Sequence, residues 1–345
     1  MLKGVEEALN GRKVATLKDV AQLSGVSIST ASKALSGRPE VHPQTRERVR
    51  EAAQRIQFRP NTLARGLFLG RTGTAGLLAN DLAGEFSIPV LMGVEDAFGA
   101  GEMSVFLCDS RRDPIRERHQ MNTLLDRRVD GIIVVGHNTN PRPSIGRDLP
   151  IPVIYVYAPS EDPDDLSFVP DNVGAGELAA HHLLDTGRSR IAHITGEIGY
   201  LAAQDREKGI RTALDEAGVE MVGGSAMYGN WSGDWGRTAA IALLERHPDL
   251  DAIICGNDRI ARAVLDVLRE RGVSAPGSIA VSGFDNWAVF TDDARPQITS
   301  VDMNLEKLGR LAAHHLFAKM EGESRSGVHS HPCRLVVRAS TARDL

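Results

Sequence analysis

Six short stretches gather amides, carboxylates, glycines and one large aromatic: Asn80-Asp81, Gly136-His137-Asn138, Gly196, Asn230-Trp231, Gly256-Asn257-Asp258 and Gly283-Phe284-Asp285-Asn286. A carboxylate or an amide can hold adjacent hydroxyls, and an indole face stacks on the apolar face of a sugar ring. Arg206, early in a predicted helix, adds a fork-shaped donor. Each stretch comes just after a predicted strand. In parallel α/β sheets, ligands sit outside the carboxyl ends of the strands, so these side chains are expected around one cleft. Taken singly, an Asn or Asp at such a place caps the next helix, as Asn257 would for a helix over 259–271.

The elements that must position them run from Gly73 onward. Strands are predicted over 74–79, 104–108, 131–135 and 153–157, with helices near 88–100 and 114–127. A second series has strands over 190–194, 224–228, 252–255 and 279–282, with helices near 173–185, 203–217, 234–246 and 259–271. Such alternation means parallel sheets covered on both faces. Val129-Asp130-Gly131-Ile132-Ile133 is echoed by Leu250-Asp251-Ala252-Ile253-Ile254. Two similar βαβ halves of about 100 residues each, facing across a cleft, follow from that echo.

A different chemistry is written before Gly73. In the stretch 16–35, Thr16 and Asp19 can cap a helix whose apolar face holds Leu17, Val20, Ala21 and Leu23. Gly25 supplies a tight turn, Val26 plugs the space between helices, and Ser27 caps a second helix over 28–35. There Ala31, Ala34 and Leu35 face inward, leaving Ile28, Ser29, Ser32 and Lys33 outside. This is the helix-turn-helix arrangement, whose second helix lies in the major groove of DNA. Pro43 opens a third helix, about 44–57, with Val49, Ala52, Ala53 and Ile56 inward and arginines near its start able to reach phosphates. After Pro60, a marginal two-turn helix with Asn61 as cap suits a hinge. Residues 1–14 are expected to form a mostly disordered arm.

Charge divides the chain the same way. The net charge of −5 hides a basic head: residues 1–71 hold 13 Lys+Arg against 6 Asp+Glu, and the remainder holds 27 against 39. A basic module on an acidic body fits a DNA-binding head carried by a domain that binds something else. The 345 residues suffice for two or three domains. Cys108, Cys255 and Cys333 form no Cys-x-x-Cys pair and read as buried thiols of a reducing cytosol. With no long apolar run and no signal-like N-terminus, a cytoplasmic, nucleoid-associated protein without a membrane partner is expected.

From Ala15 on, the chain resembles the LacI/GalR family of bacterial transcriptional regulators. The likeness rests on residues 16–27, Thr-Arg-Glu-Arg-Val (45–49), Arg-Pro-Asn-Thr-Leu-Ala-Arg-Gly-Leu (59–67), Arg-Arg-Val-Asp-Gly-Ile-Ile (127–133), Cys-Gly-Asn-Asp (255–258), Ser-Gly-Phe-Asp-Asn (282–286) and Leu-Val-Val-Arg-Ala-Ser-Thr (335–341). It implies an all-α helix-turn-helix head on an α/β core of two periplasmic-binding-protein-like subdomains with parallel sheets. The implied division is an arm over 1–14, a head over 15–60 and a hinge helix over 61–71. The core's N-subdomain would take 72–170 and 298–329, and its C-subdomain 171–297 and 330–345.

By the same resemblance, Ile28, Ser29 and Lys33 read bases, while Thr16, Ser27, Thr30, Ser32, Asn61 and Arg65 contact or support the DNA backbone. Ala64 and Leu67 serve the hinge in the minor groove, with Leu67 as the wedge. Asp81, Phe86, His137, Arg206, Trp231, Asn257 and Asp285 are the candidate effector residues. The chain departs from the family's Asn-Pro-Phe-Phe with Gly84-Glu85-Phe86-Ser87, which sets an unusual charge at Glu85. Gly187-Arg188 replaces a common Gly-His, and Phe68 and Leu69 make the hinge end apolar.

Other motifs carry less. Gly174-Ala175-Gly176-Glu177-Leu178-Ala179 matches a dinucleotide fingerprint, but Pro170 interrupts the strand that should precede it. His329-Ser330-His331-Pro332-Cys333 reads as a solvated loop rather than a metal clip. Glu161 to Asp165 reads as an exposed acidic turn. No nucleophile elbow, phosphate loop or zinc-hydrolase motif is present. The sequence therefore predicts a non-enzymatic, homodimeric regulator, in the main a repressor, with no metal or cofactor. Its partners are a palindromic double-stranded operator and a small sugar-like or nucleoside effector. The competing class is a sugar-active, kinase-like enzyme with a DNA-binding head, which lacks its phosphate-cradling loop here.

Overall fold

Thr16 starts the first helix by accepting from the Asp19 N–H at 3.3 Å, and the Asp19 carboxylate returns to the Thr16 N–H at 2.8 Å. This reciprocal cap fixes α1 (Leu17–Ser24), and Gly25 ends it at φ 64°. Ser27 caps α2 (Ile28–Leu35) through the Thr30 N–H, and Pro43 opens α3 (Pro43–Arg55) behind His42. Described here in a computed structural model are residues 15–36, 38–58, 71–81, 85–99, 103–147 and 149–342. They fall into two compact units that divide between Thr72 and Gly73.

The head buries Val20, Ala21, Ala31, Ala34, Val41, Val49, Ala52 and Ala53. Leu23, expected inside, is 46% exposed. Ser24 takes the inward place instead, because its hydroxyl donates to the Val20 carbonyl at 2.7 Å and needs no water. Arg46, one of the arginines expected to face phosphates, donates to the Arg38 and Val41 carbonyls and ties down the loop before α3. The arm over 1–14 and the hinge residues Asn61, Ala64, Arg65 and Leu67 lie outside the described residues.

From Gly73 the chain runs β1 (Thr74–Ala79), α4 (Ser87–Phe98), β2 (Ser104–Asp109), α5 (Pro114–Asp126), β3 (Gly131–Val135), β4 (Val153–Val156) and β5 (Leu166–Pro170). It continues through α6 (Asn172–Asp185), β6 (Ile191–Thr195), α7 (Leu201–Glu216), β7 (Met227–Tyr228), α8 (Gly233–Arg246) and β8 (Ala252–Cys255). Then follow α9 (Asp258–Glu270), β9 (Ala280–Phe284), α10 (Ala288–Thr291), β10 (Thr299–Asp302), α11 (Leu305–Met320), β11 (Gly327–His331) and β12 (Arg334–Val336).

The strands form two six-stranded sheets, ordered β11-β5-β4-β3-β1-β2 and β12-β10-β9-β8-β6-β7. Position by position the two orders are the same. The echoed motifs lead into β3 and β8, which hold matching places. Inner strands such as β3 and β8 are wholly buried apolar runs, as strands covered on both faces must be. β12 is the exception to parallel pairing, running antiparallel to β10.

Sheet membership moves two expected boundaries. The family division puts 298–302 in the first half, but β10 pairs with β9 through Thr299 and Ser282, so the chain crosses after Asp302. The second half was to resume at residue 330, yet β11 pairs with β5 as far as His331 and Pro170. His329 and His331 thus belong to a strand, not a solvated loop. The predicted strand over 224–228 shrinks to Met227–Tyr228, because Gly223 and Gly224 both take positive φ.

Each half packs a helix pair through glycine. A Cβ at Gly93 would fall 1.9 Å from the Glu306 carbonyl, and one at Gly209 would fall 1.9 Å from the Val173 carbonyl. Gly176 likewise meets the Arg206 carbonyl, so the dinucleotide-like motif is a crossing of α6 over α7. Arg188 holds the Asp251, Pro276 and Ser278 carbonyls together under the second sheet.

Candidate functional site

The carboxyl ends of the two sheets face one cavity of about 270 Å³. Among its lining residues are Phe86, His137, Arg206, Trp231, Asn257 and Asp285, six of the seven residues singled out from the sequence. Asp81 is not among them. It is buried behind the wall, where its carboxylate accepts from the Phe86 N–H at 3.1 Å and so positions that ring.

Arg206 is the organising group. Helix α7 carries it inward, and only 2% of it is exposed. Its Nε donates to Asn172 Oδ1 at 2.9 Å, and its Nη1 donates to the Gly256 carbonyl. Nη2 meets the Met303 sulfur at 3.2 Å and lies 3.6 Å from Asp285 Oδ1. The guanidinium also sits 4.5 Å over the Phe284 ring. Asp285, at the end of β9, is held at φ 96°, a strained conformation for a residue with a Cβ. Burial pushes its carboxyl up to about 6 against the pull of Arg206.

Asn257 does what a residue before a helix does: its Oδ1 accepts from the Ile260 N–H at 2.8 Å and starts α9. It nevertheless lines the cavity. Its neighbour Asp258 is buried, accepts from the Trp287 N–H at 2.8 Å and from Ser300, and burial with Asp285 nearby holds its carboxyl well above the usual range. Trp231 lies against Gly196, where a Cβ would come within 2.1 Å of the indole ring. Burial lowers the His137 imidazole, helped by Arg112 and Arg142.

The structure adds groups that sequence reasoning passed over. Phe86 stacks on Tyr157 at 4.6 Å and meets Trp287 at 5.7 Å, while Tyr200 lies 5.9 Å from Trp231. Two aromatic groupings thus share one cavity. Contacts already span the cleft. Arg259 on α9 pairs with Glu85 at 2.7 Å. The Asn140 side chain donates to the Gly199 carbonyl and accepts from the Leu201 N–H, each at 2.9 Å. Burial raises the Glu85 carboxyl, with Arg259 opposing.

In the head, Ile28, Ser29, Ser32 and Lys33 are exposed along one side of α2. Thr16, Ser27 and Thr30 are engaged in capping: Ser27 Oγ accepts from the Thr30 N–H at 3.0 Å and lies 2.8 Å from Thr30 Oγ1. Among the described residues no group of three or more His, Cys, Asp or Glu is placed to hold a metal ion. Among them too, no helix is long and apolar enough to cross a membrane.

Comparison with known families decides what these parts belong to. Residues 16–61 match the model for bacterial regulatory proteins of the lacI family, and 72–339 match that for periplasmic binding proteins and the sugar binding domain of the LacI family. This chain is a member of the LacI family. It is accordingly a DNA-binding transcriptional repressor with a sugar-binding domain. A curated relative, the HTH-type transcriptional regulator CelR of Thermobifida fusca, is 33% identical over 334 residues, covering 94% of this chain and 96% of the relative. A solved complex of the transcriptional regulator CelR with cellobiose is 30% identical, with a TM-score of 0.64 over 94% of this chain and 99% of that one. The Lac repressor dimer bound to operator and the anti-inducer ONPF shares the fold, with a TM-score of 0.75 at 22% identity over 95% and 99% of the two chains.

Proposed function

We propose that this LacI-family protein acts as a homodimer on a palindromic operator and is switched by a sugar-like effector in the core cleft. The observation that carries the reading is the cavity itself. Its walls come from both sheets, and Glu85 and Arg259 already bridge them. A ligand there acts on the angle between the halves, and it shifts that equilibrium by its difference in affinity for the two states. Arg206, Asp285 and Asn257 are positioned to hold hydroxyls, while Trp231 and Phe86 offer ring faces to a sugar. Because the CelR neighbour holds cellobiose, β-glucosides come first among the saccharides to test.

At the operator, Ile28, Ser29 and Lys33 read base edges. Ser32 lies beside them, Thr16 caps α1, and Ser27 caps α2 through the Thr30 N–H. Asn61 and Arg65 contact phosphates, and Ala64 and Leu67 enter the minor groove, roles that rest on the family resemblance. The test is fluorescence anisotropy with inverted-repeat duplexes and a random duplex, at fixed salt, with and without saccharides or nucleosides. Lys33→Ala should cost about 1–3 kcal/mol on the specific duplex and little on the random one. Absence of preference for any inverted repeat, with or without ligand, would falsify the proposal.

A further inference from the structure

The chain passes between the two halves of the core three times, at 170–172, 302–305 and 331–334. Any change in the angle between the halves has to be taken up by backbone dihedrals in these segments. The three crossovers are tied to one another. The Asp171 N–H donates to the His331 carbonyl at 2.9 Å, and the Cys333 thiol donates to the Asp171 carbonyl at 3.6 Å. The Asn304 amide lies 3.5 Å from His331 Nε2, and Asn304 itself stands at φ 56°.

One carboxylate joins this knot to the ligand cavity. Asp302 Oδ1 accepts from the Asn304 N–H at 2.7 Å, and Oδ2 accepts from Arg334 Nε at 3.0 Å and Nη2 at 2.8 Å. Oδ2 also accepts from the Asn286 side-chain amide at 3.2 Å. Four donors fill the acceptor sites of one carboxylate. Asn286 follows Asp285, which lines the cavity, and both stand at positive φ. Their bend is fastened to β10: the Asp285 N–H donates to the Val301 carbonyl at 2.9 Å, and the Asn286 N–H to Ser300 Oγ at 3.0 Å. The strained end of β9 therefore moves with β10, and β10 ends at Asp302, where the second crossover begins. As a plain ion pair, Asp302 with Arg334 would count for little, since Arg334 is 66% exposed. What sets Asp302 apart is that its donors come from three separate segments.

We infer that Asp302 is a positioning residue: it fixes the backbone beside Asp285 to two of the three crossovers, so that a sugar gripping Asp285 sets the angle at which the halves close. The inference rests on the reading of the cleft as an effector site and names the residue that carries its signal to the crossovers.

Fluorescence anisotropy on the full chain tests it, with the inverted-repeat duplex that the wild type prefers. Cellobiose, sucrose and ribose serve as probes that differ in ring number and size, and titration calorimetry gives the sugar affinity by itself. A sugar that acts on the wild type changes operator affinity by a coupling factor, typically about 5–150-fold. Asp302→Asn keeps size and shape, but an amide has one acceptor oxygen and must release either Asn304 or the donors from Arg334 and Asn286. That variant and Asp302→Ala should each bring the factor to within about twofold of unity, with sugar and operator affinities taken singly within about threefold of wild type. An unchanged factor in both variants overturns the assignment and leaves the effector reading standing. So does a fall in sugar affinity of roughly tenfold or more, which makes Asp302 a support of the ligand site alone. If none of the three sugars moves wild-type operator affinity, the effector reading falls and this inference falls with it.

Discussion

The two halves of the core share a strand order and a glycine-mediated helix crossing, and they differ in what stands at their strand ends. The second half sets Arg206, Asp285, Asn257 and Asp258 there, tied together by Asn172, Ser300 and the Gly256 carbonyl. The first half offers Phe86, Tyr157 and His137, with its buried carboxylate Asp81 withdrawn to hold a backbone N–H. One half is a fixed polar grip. The other sets two stacked rings, Phe86 and Tyr157, among exchangeable polar groups from loops, Glu85, Arg112, His137, Asn138 and Thr139. A duplicated scaffold can thus specialise through the few residues that follow each strand, because sheets and helix crossings tolerate no such variation while loops do.

The sharpest way to break that contrast is Arg206→Ala. Removing the guanidinium strips Asp285 and Asn172 of a buried partner and should destabilise the core by about 3–5 kcal/mol. Urea unfolding followed by tryptophan fluorescence measures it, and a cost under about 1 kcal/mol would show that the second half is not held by this network. Arg206→Lys should recover only part of the loss, since an ammonium cannot reproduce the fork.

The shared scaffold is probed by Gly93→Ala and Gly209→Ala, each of which drives a Cβ into a carbonyl 1.9 Å away. Both should lose about 1–3 kcal/mol as the helices part. Similar losses sharpen the equivalence of the halves, and one neutral substitution would end it. Glu85→Gln should have the smallest effect. The pair with Arg259 is 33% and 41% exposed, so less than about 1 kcal/mol is expected. That difference should shrink further in high salt.

Much of this arrangement was legible before any coordinates. Strand periodicity and the rule that ligands gather past strand ends led to His137, Arg206, Trp231, Asn257 and Asp285, the family resemblance added Phe86, and all six share one cavity. What stayed hidden has physical causes. Tyr157 follows a buried strand and reads as core, although a φ of 74° turns the chain there. Arg259 sits on an amphipathic helix, where a charge usually means a solvated face. Trp287 comes after Asp285 and Asn286, both at positive φ, a bend that no local propensity announces. The boundaries near 302 and 331 were missed because a strand's membership depends on its partner, and partners lie far away in sequence.

That dependence on distant segments has a consequence for synthesis. Residues 172–302 complete all of the second sheet except β12, so this half can condense as soon as it clears the ribosome. The first sheet, although begun earlier, waits for α11 and β11 from the last 41 residues. Until Glu306 and Gly309 arrive, the surface around Val90 and Gly93 stands uncovered. Of the two halves, the one begun first stays open longer, and during that interval it is the one more in need of a chaperone.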